Sequence, residues 1–334
     1  MSHLTYAEAI VVGLFQGVTE LFPVSSLGHS VLIPALIGGS WARDLSVSAP
    51  ASPYLAFIVG LHVATAAALL AYFWRDWLRI IGGFLTSVRD RQVKTPDQRL
   101  AWILILATIP VGVSGLALEH LFRTVLGKPI PAAIFLTVNG LILYGGERLR
   151  RRDPAAASAG PDPSRAPVRA GRHAATAAMD SAGPPTATLS ASRVDPASDP
   201  DLASDRRLAR LSFGEATLIG SAQILALLPG ISRSGVTMVA GLVRGLSHED
   251  AARFSFLLAT PVILAAGVLK IPDLTGPLGA GIAGQVLAGS LCSGIGAYLS
   301  VRYLVRYFQT RTLTPFAIYC TVAGLASLAY LTLR

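Results

Sequence analysis

The chain has 334 residues, 28 Lys+Arg against 19 Asp+Glu, and a formal net charge of +9. Only 14% of residues are charged, about half the share of a soluble domain, and 52% are hydrophobic. Those figures exclude a water-soluble globule. The basic residues sit between apolar runs, so they point to orientation in a lipid bilayer and to lipid contact, with no nucleic acid as partner. The two cysteines, Cys292 and Cys320, lie inside apolar runs at no metal-ligand spacing. The first residues carry no basic run, so no cleaved signal peptide is expected.

The first element reads as a broken helix. Residues 9–19 are apolar, then Glu20, Pro23, Ser25, Ser26, Gly28 and His29 interrupt, and 30–42 resume without a charge until Arg43. Full spans are predicted at 55–73, 101–118 and 129–147, each near the ~20 residues that cross a bilayer. The stretch 74–100 between the first two reads as a loop carrying Arg75, Arg79, Arg89, Arg91, Lys94 and Arg99. Residues 151–210 differ sharply: Ala, Pro, Ser, Asp and Arg make up 47 of the 60, with no aromatic residue. Such a segment buries too little apolar area to offset its ordering entropy, so a disordered linker is expected. A second broken helix follows, apolar over 216–231, interrupted by Ser232-Arg233-Ser234-Gly235, and apolar again over 236–243. Spans at 254–270, 281–300 and 313–333 complete the chain.

The two broken helices match. At a gapless offset of 207, residues 4–28 align with 211–235, with Leu4/Leu211, Glu8/Glu215, Ala9/Ala216, Gly13/Gly220, Gln16/Gln223, Ser25/Ser232 and Gly28/Gly235 identical. An internal duplication accounts for this pattern. The organisation is then a first membrane repeat at 1–150, a disordered cytoplasmic linker at 151–210 and a second membrane repeat at 211–334. The basic loops 74–100, 148–152 and 301–312 fall on one side, so the linker is cytoplasmic and both termini are extracytoplasmic. The fold class is an all-α polytopic membrane protein. It is an inverted-topology repeat with two re-entrant helix hairpins and about six full transmembrane helices. Paired broken segments in matching positions point to a binding site near the midplane.

Gln16 and Glu20 are four residues apart and share a helix face. A carboxylate in an apolar helix is costly and marks function by default, the alternative being a structural Glu near the interface. Glu20 can hold a divalent cation or move a proton. Ser25 and Ser26 follow a Pro and stand where N-caps stand, so backbone N–H groups of the second arm offer an anion site, and Gly28 allows close approach. His29 can shuttle a proton or attack phosphorus, or serve structure alone. In the second break Arg233 is the sole charge between Glu215 and Arg244. A guanidinium flanked by Ser232, Ser234 and Thr237, with Gly235 at a helix start, suits phosphate. Glu8 and Glu215 read as structural groups at hairpin starts. His62 lies mid-span without a charged neighbour and reads as packing or a helix–helix hydrogen bond. These residues by themselves establish an anion site in a membrane.

The runs Gln16-Gly17-Val18-Thr19-Glu20, Pro23-Val24-Ser25-Ser26-Leu27-Gly28-His29 and Pro229-Gly230-Ile231-Ser232-Arg233-Ser234-Gly235 resemble undecaprenyl-diphosphate phosphatases of the bacitracin-resistance (BacA) type. Phe254-Ser255-Phe256-Leu257-Leu258-Ala259 and Pro315-Phe316-Ala317-Ile318-Tyr319 add to the likeness, which covers both halves but not the linker. The resemblance implies a multi-pass enzyme of the bacterial plasma (inner) membrane, its site open to the extracytoplasmic face. It implies removal of the terminal phosphate of a polyprenyl diphosphate, recycling the carrier lipid for wall synthesis and giving bacitracin resistance. It implies a divalent cation, Mg²⁺ or Ca²⁺, and allows a homodimer. Carried over, Glu20 is catalytic and the metal ligand; Ser26, His29 and Arg233 are catalytic; Gln16, Ser25, Gly28, Ser232, Ser234, Gly235 and Thr237 bind substrate. The nucleophile is Ser26 or His29. This sequence departs from the family in three places: Gln16 stands where many members have Glu, Leu228 where Trp is frequent, and Cys320 where Arg is common. A transporter or lipid flippase is the competing class, because inverted repeats with broken helices also build transporters. A transporter needs an anion site but no nucleophile, and the Glu20, Ser26 and His29 group favours hydrolysis. A scaffold acting through the linker leaves the intramembrane charges unexplained.

Overall fold

The computed structural model describes residues 4–45, 53–121, 126–152, 200–270, 272 and 281–333, and these contain helices but no strand. The helices are α1 (Tyr6–Thr19), α2 (Ser26–Ile37), α3 (Gly39–Asp44), α4 (Pro53–Tyr72), α5 (Trp74–Asp90), α6 (Pro96–Leu121) and α7 (Pro129–Arg152). From residue 200 onward come α8 (Pro200–Leu208), α9 (Phe213–Ser221), a 3₁₀ turn (Ala222–Leu227), α10 (Arg233–Val243), α11 (His248–Leu269), α12 (Ala283–Tyr307) and α13 (Thr314–Leu333). Helices α6, α7, α11, α12 and α13 are long and apolar enough to cross a bilayer, and α4 with α5 supplies a sixth candidate, bent by 86°.

Both broken helices start alike. Thr5 accepts from the Glu8 N–H at 3.2 Å while the Glu8 carboxylate accepts from the Thr5 N–H at 2.8 Å. Ser212 and Glu215 repeat this reciprocal cap at 3.1 and 2.9 Å. The glutamates matched by the duplication are therefore capping residues. Each hairpin then packs on the middle span of the opposite repeat, α1 on α12 and α9 on α6. A Cβ on Gly13 would overlap the backbone of Gly289, and one on Gly220 would overlap that of Ala107. Matched glycines thus set matched close crossings, which is how helices associate where lipid leaves little hydrophobic gain. On α1 the sorting is membrane-like: Ala9, Gly13, Gln16 and Gly17 are buried, and Ile10, Val11, Leu14 and Val18 face outward.

The stretch 74–100, expected as a loop, is mostly helical. Trp74, Leu78, Ile81, Leu85 and Val88 form an exposed stripe along α5, while Asp76, Ile80, Gly83 and Ser87 face inward. That spacing is helical, but the interleaved arginines break up the run as a sequence signal. A second correction concerns the linker. Residues 153–199, most of the expected disorder, lie outside the described residues, but α8 at its C-terminal end is folded. Polar anchoring replaces the missing aromatic core there. Asp205, 2% exposed, accepts from Arg253 Nε at 2.7 Å and from Arg79 Nη2 at 2.7 Å. Asp76 joins both arginines, pairing with Arg79 and lying 3.0 Å from Arg253. Arg207 of α8 pairs with Asp250 at 2.7 Å. The network ties α5, α8 and α11 together.

Removing one member of such a network leaves buried charge without a partner, at a cost of about 3–5 kcal/mol. Asp205→Ala should therefore lower the melting midpoint of the detergent-solubilised protein, followed by tryptophan fluorescence. A midpoint equal to that of the unaltered protein would show that α8 is not anchored through Asp205.

Candidate active site

The two breaks meet inside the bundle. Gly28 faces Gly230, whose Cα would stand 2.7 Å from a Cβ built on Gly28. Ser25 holds φ at +70°, an uncommon conformation for a residue with a side chain, and its Oγ accepts from the N–H groups of Gly28 and Gly230, each at 3.2 Å. One hydroxyl thus caps α2 and pins the opposite break. Asn139, fully buried on α7, makes a second bridge. Its Nδ2 donates to the Pro23 carbonyl at 3.1 Å, and its Oδ1 accepts from the Ser232 N–H at 2.9 Å. Ser234 Oγ donates to the Phe22 carbonyl at 3.3 Å. Each break satisfies backbone groups of the other, as irregular backbone at membrane depth requires.

Glu20 lies where these elements converge. Its Oε1 accepts from Arg233 Nη2 at 2.6 Å. Its Oε2 accepts from Gln16 Nε2 at 3.0 Å and from Ser26 Oγ. Arg233 also donates from Nη1 to the Ala259 carbonyl at 3.2 Å. Five N–H groups on a guanidinium leave donors over for a further anion. The structure therefore brings Gln16, Glu20, Ser26 and Arg233 into one cluster, joining residues more than 200 positions apart. A narrow cleft lined by Val11, Phe15, Ile33, Pro34 and Tyr54 reaches Gln16 and His29.

Other predicted residues stand apart from this cluster. Both His29 nitrogens are occupied: Nδ1 lies 2.7 Å from the Ser25 carbonyl and Nε2 lies 2.8 Å from the Tyr319 hydroxyl. The ring stacks on Tyr319 with centroids 5.8 Å apart. Ser232 Oγ caps α10 by accepting from the Gly235 N–H at 3.2 Å, and Thr237 Oγ1 donates to the Arg233 carbonyl at 2.8 Å. Ser232, Ser234 and Thr237 are buried, with hydroxyls already engaged. Gly28 and Gly235 provide the close packing at the two helix starts.

Sequence reasoning gave three members no role in the site. His62, read as packing or a helix–helix hydrogen bond, makes such a bond, its Nε2 lying 3.3 Å from Gln16 Nε2 on α1, and stands 3.7 Å from Glu20 Oε2. Asn139 bridges the breaks and Tyr319 holds His29. Each is a single polar residue in an apolar run, which is the one signal available for all three.

Comparison with known proteins bears on these residues. The family described as "Bacitracin resistance protein BacA" matches residues 9–326. A relative from Mycolicibacterium paratuberculosis, named undecaprenyl-diphosphatase, is 65% identical over 333 residues, covering 100% of this chain and 99% of the relative. One from Frankia alni, named undecaprenyl-diphosphatase 2, is 57% identical over 97% of each chain. One from Granulibacter bethesdensis, named undecaprenyl-diphosphatase, is 39% identical, covering 97% of this chain and 96% of the relative. With the match running through both repeats and both breaks, the chain belongs to the BacA bacitracin-resistance family.

Proposed function

We propose that the protein is a membrane phosphatase that converts undecaprenyl diphosphate to undecaprenyl phosphate and inorganic phosphate. The observation that carries this reading is Glu20 held between a serine hydroxyl and an arginine inside a membrane bundle. The names of the relatives support the same substrate. Recycling the carrier for wall synthesis, and the resistance to bacitracin that follows, are the physiological side of the proposal. The clustering of Arg148, Arg150, Arg151 and Arg152 at the end of α7 supports a cytoplasmic location for that end in the plasma membrane. The site would then open to the extracytoplasmic face.

The geometry favours Ser26 as nucleophile over His29. Ser26 Oγ already donates to Glu20, the arrangement of a nucleophile with its base, whereas both His29 nitrogens are engaged elsewhere. In the proposed reaction Ser26 Oγ attacks the terminal phosphorus and its proton passes to Glu20. The bond from that phosphorus to the bridging oxygen breaks, and undecaprenyl phosphate leaves with the electron pair. Water then cleaves the phosphoserine and releases phosphate. Arg233, with N–H groups to spare, stabilises charge on the phosphate oxygens. Ser25 and Ser232 hold the starts of α2 and α10 in place, and N–H groups of those starts that the caps leave over add to the hold on the diphosphate. The apolar cleft takes the first isoprenoid units.

A divalent cation, Mg²⁺ or Ca²⁺, fits this arrangement in a limited way. Among the described residues no three His, Cys, Asp or Glu side chains gather into a cage. Glu20 is thus the carboxylate that would hold the ion, with diphosphate oxygens completing its shell, as is usual for Mg²⁺. The ion would neutralise charge on the diphosphate.

Phosphate release from undecaprenyl diphosphate by purified protein in detergent tests the reading. Glu20→Gln should lower kcat/KM about 10²–10⁴-fold, the range of a lost general base. Ser26→Ala should abolish turnover, and Arg233→Lys should lower it strongly, because a point charge does not replace the fork. His29→Ala should cost less than Ser26→Ala; the reverse order would make His29 the nucleophile. Excising 153–199, which retains α8, should leave phosphate release unchanged. Loss of release from that folded variant would place the linker in the machinery.

A further inference from the structure

Helix α5 keeps an apolar face that the described residues leave uncovered. Helix α4 runs for 20 residues to Tyr72, long enough to cross a bilayer by itself. The chain then bends by 86° at Phe73, which turns α5 along the membrane surface. Arg75, Asp76, Arg79, Arg89 and Asp90 keep its 17 residues from crossing. One face of α5 is fixed to α6 and to the turn before it. A Cβ on Gly83 would stand 2.7 Å from the Asp97 backbone, Trp102 Nε1 donates to Ser87 Oγ at 3.0 Å, and Gln98 Nε2 donates to Thr86 Oγ1 at 3.2 Å. The other face is the stripe of Trp74, Leu78, Ile81, Leu85 and Val88, whose members are between 49% and 63% exposed.

Cations border this stripe. Arg75 and Arg89 flank the same edge of it, one near each end and about 21 Å apart along the axis. Arg75 Cζ stands 5.2 Å from the centre of the Trp74 ring, and tryptophan is favoured where acyl chains meet headgroups. Arg91 and Lys94 continue the exposed positive charge past the helix end. Against these four stands Asp90, beside Arg89 at 2.8 Å, while Asp97 turns to Arg79 at 3.4 Å. Arg79 itself is taken by Asp76 and Asp205. Two spans, α6 and α7, separate α5 from Arg150, Arg151 and Arg152, so all of these cations belong to the same leaflet. A helix with one apolar face and cations along its border lies in the interface, its apolar side in the acyl boundary and its charges at headgroup level.

We propose that α5 docks on the leaflet at the basic end of the bundle and recognises anionic phospholipid. The stripe sits in the acyl boundary, and Arg75, Arg89, Arg91 and Lys94 meet the lipid phosphates. This surface shares no residue with the active site and does not depend on the reaction.

Full-length protein in nanodiscs tests the docking. A fluorophore on Leu85→Cys, in a Cys292→Ser background, reports on the stripe, since Cys320 is fully buried and takes no label. The discs carry equal fractions of brominated phosphatidylcholine or brominated phosphatidylglycerol. Both should quench, and at low salt the anionic lipid should quench about two-fold more, through attraction to each cation near the surface. High salt should remove that excess. So should the combined variant Arg75→Gln, Arg89→Gln, Arg91→Gln and Lys94→Gln, while quenching by phosphatidylcholine persists because the stripe stays seated. Quenching by neither lipid overturns the docking and leaves the stripe to a protein partner or a second copy. Equal quenching by both overturns the anionic preference. An excess that survives the four substitutions belongs to the other basic ends of the bundle and overturns it as well.

Discussion

The ion pair between Glu20 and Arg233, whose side chains are 8% and 14% exposed inside the bundle, is the constraint on which the rest of the structure depends. Neither charge is stable alone at membrane depth, because removing either from water costs several kcal/mol that only close pairing offsets. The pair lies between the two repeats, so one repeat without the other would expose a lone charge to lipid. Duplication and charge pairing are therefore one problem. The repeats can diverge elsewhere, but at this point each must supply what the other lacks. The divergence is visible in the aligned positions. Glu20 corresponds to Leu227, while Ser26, at the start of α2, corresponds to Arg233 at the start of α10. A symmetric ancestor would place like groups face to face; the present chain has an acid on one arm and a base on the other.

Backbone satisfaction follows the same logic. A helix broken inside a bilayer leaves N–H and C=O groups that no water can reach. Here the Gly230 N–H goes to Ser25, the Ser232 N–H to Asn139, and the Phe22 and Pro23 carbonyls to Ser234 and Asn139. These bonds run between the breaks or through α7. The polar residues that look like a substrate-binding motif in sequence are thus partly structural. Ser232, Ser234 and Thr237 hold the start of α10 rigid, so that Arg233 projects from a fixed position. Rigidity of that kind is what an electrostatic site needs, because donors that reorganise during reaction stabilise charge less.

The parts of this architecture that repeat were legible in the sequence, and of the parts that occur once only the charged ones were. Glu8 and Glu215, Gly13 and Gly220, and Ser25 and Ser232 could be matched, and each pair performs the same task in both halves. Glu20 and Arg233 were legible for another reason: a charge in an apolar run is rare enough to draw notice. The site roles of His62 and Asn139 were not, since a lone polar residue mid-span is common and its partners lie on other helices. The α5 stripe was hidden because its apolar residues alternate with arginines that look like a loop. Helix α8 was hidden because its stability comes from ion pairs with Arg253 and Arg79, distant in sequence, and its own composition matches that of the linker.

The position of α8 carries a final consequence. Its acids clamp Arg253, which begins the run Arg253-Phe254-Ser255-Phe256 on α11. The same helix supplies the Ala259 carbonyl that orients Arg233, less than two turns further on. Ser255 Oγ donates to the Ser234 carbonyl at 3.4 Å, adding a direct contact between α11 and the start of α10. A rigid helix fixed at one end by Asp205 and Asp76 thus presents an acceptor to the arginine at the centre of the bundle. Packing carries such a constraint without any moving part, since α11 is among the most buried of the spans. The charge network near the basic end of the bundle and the ion pair at its centre are therefore two ends of one rigid element, and disorder in the first would loosen the second.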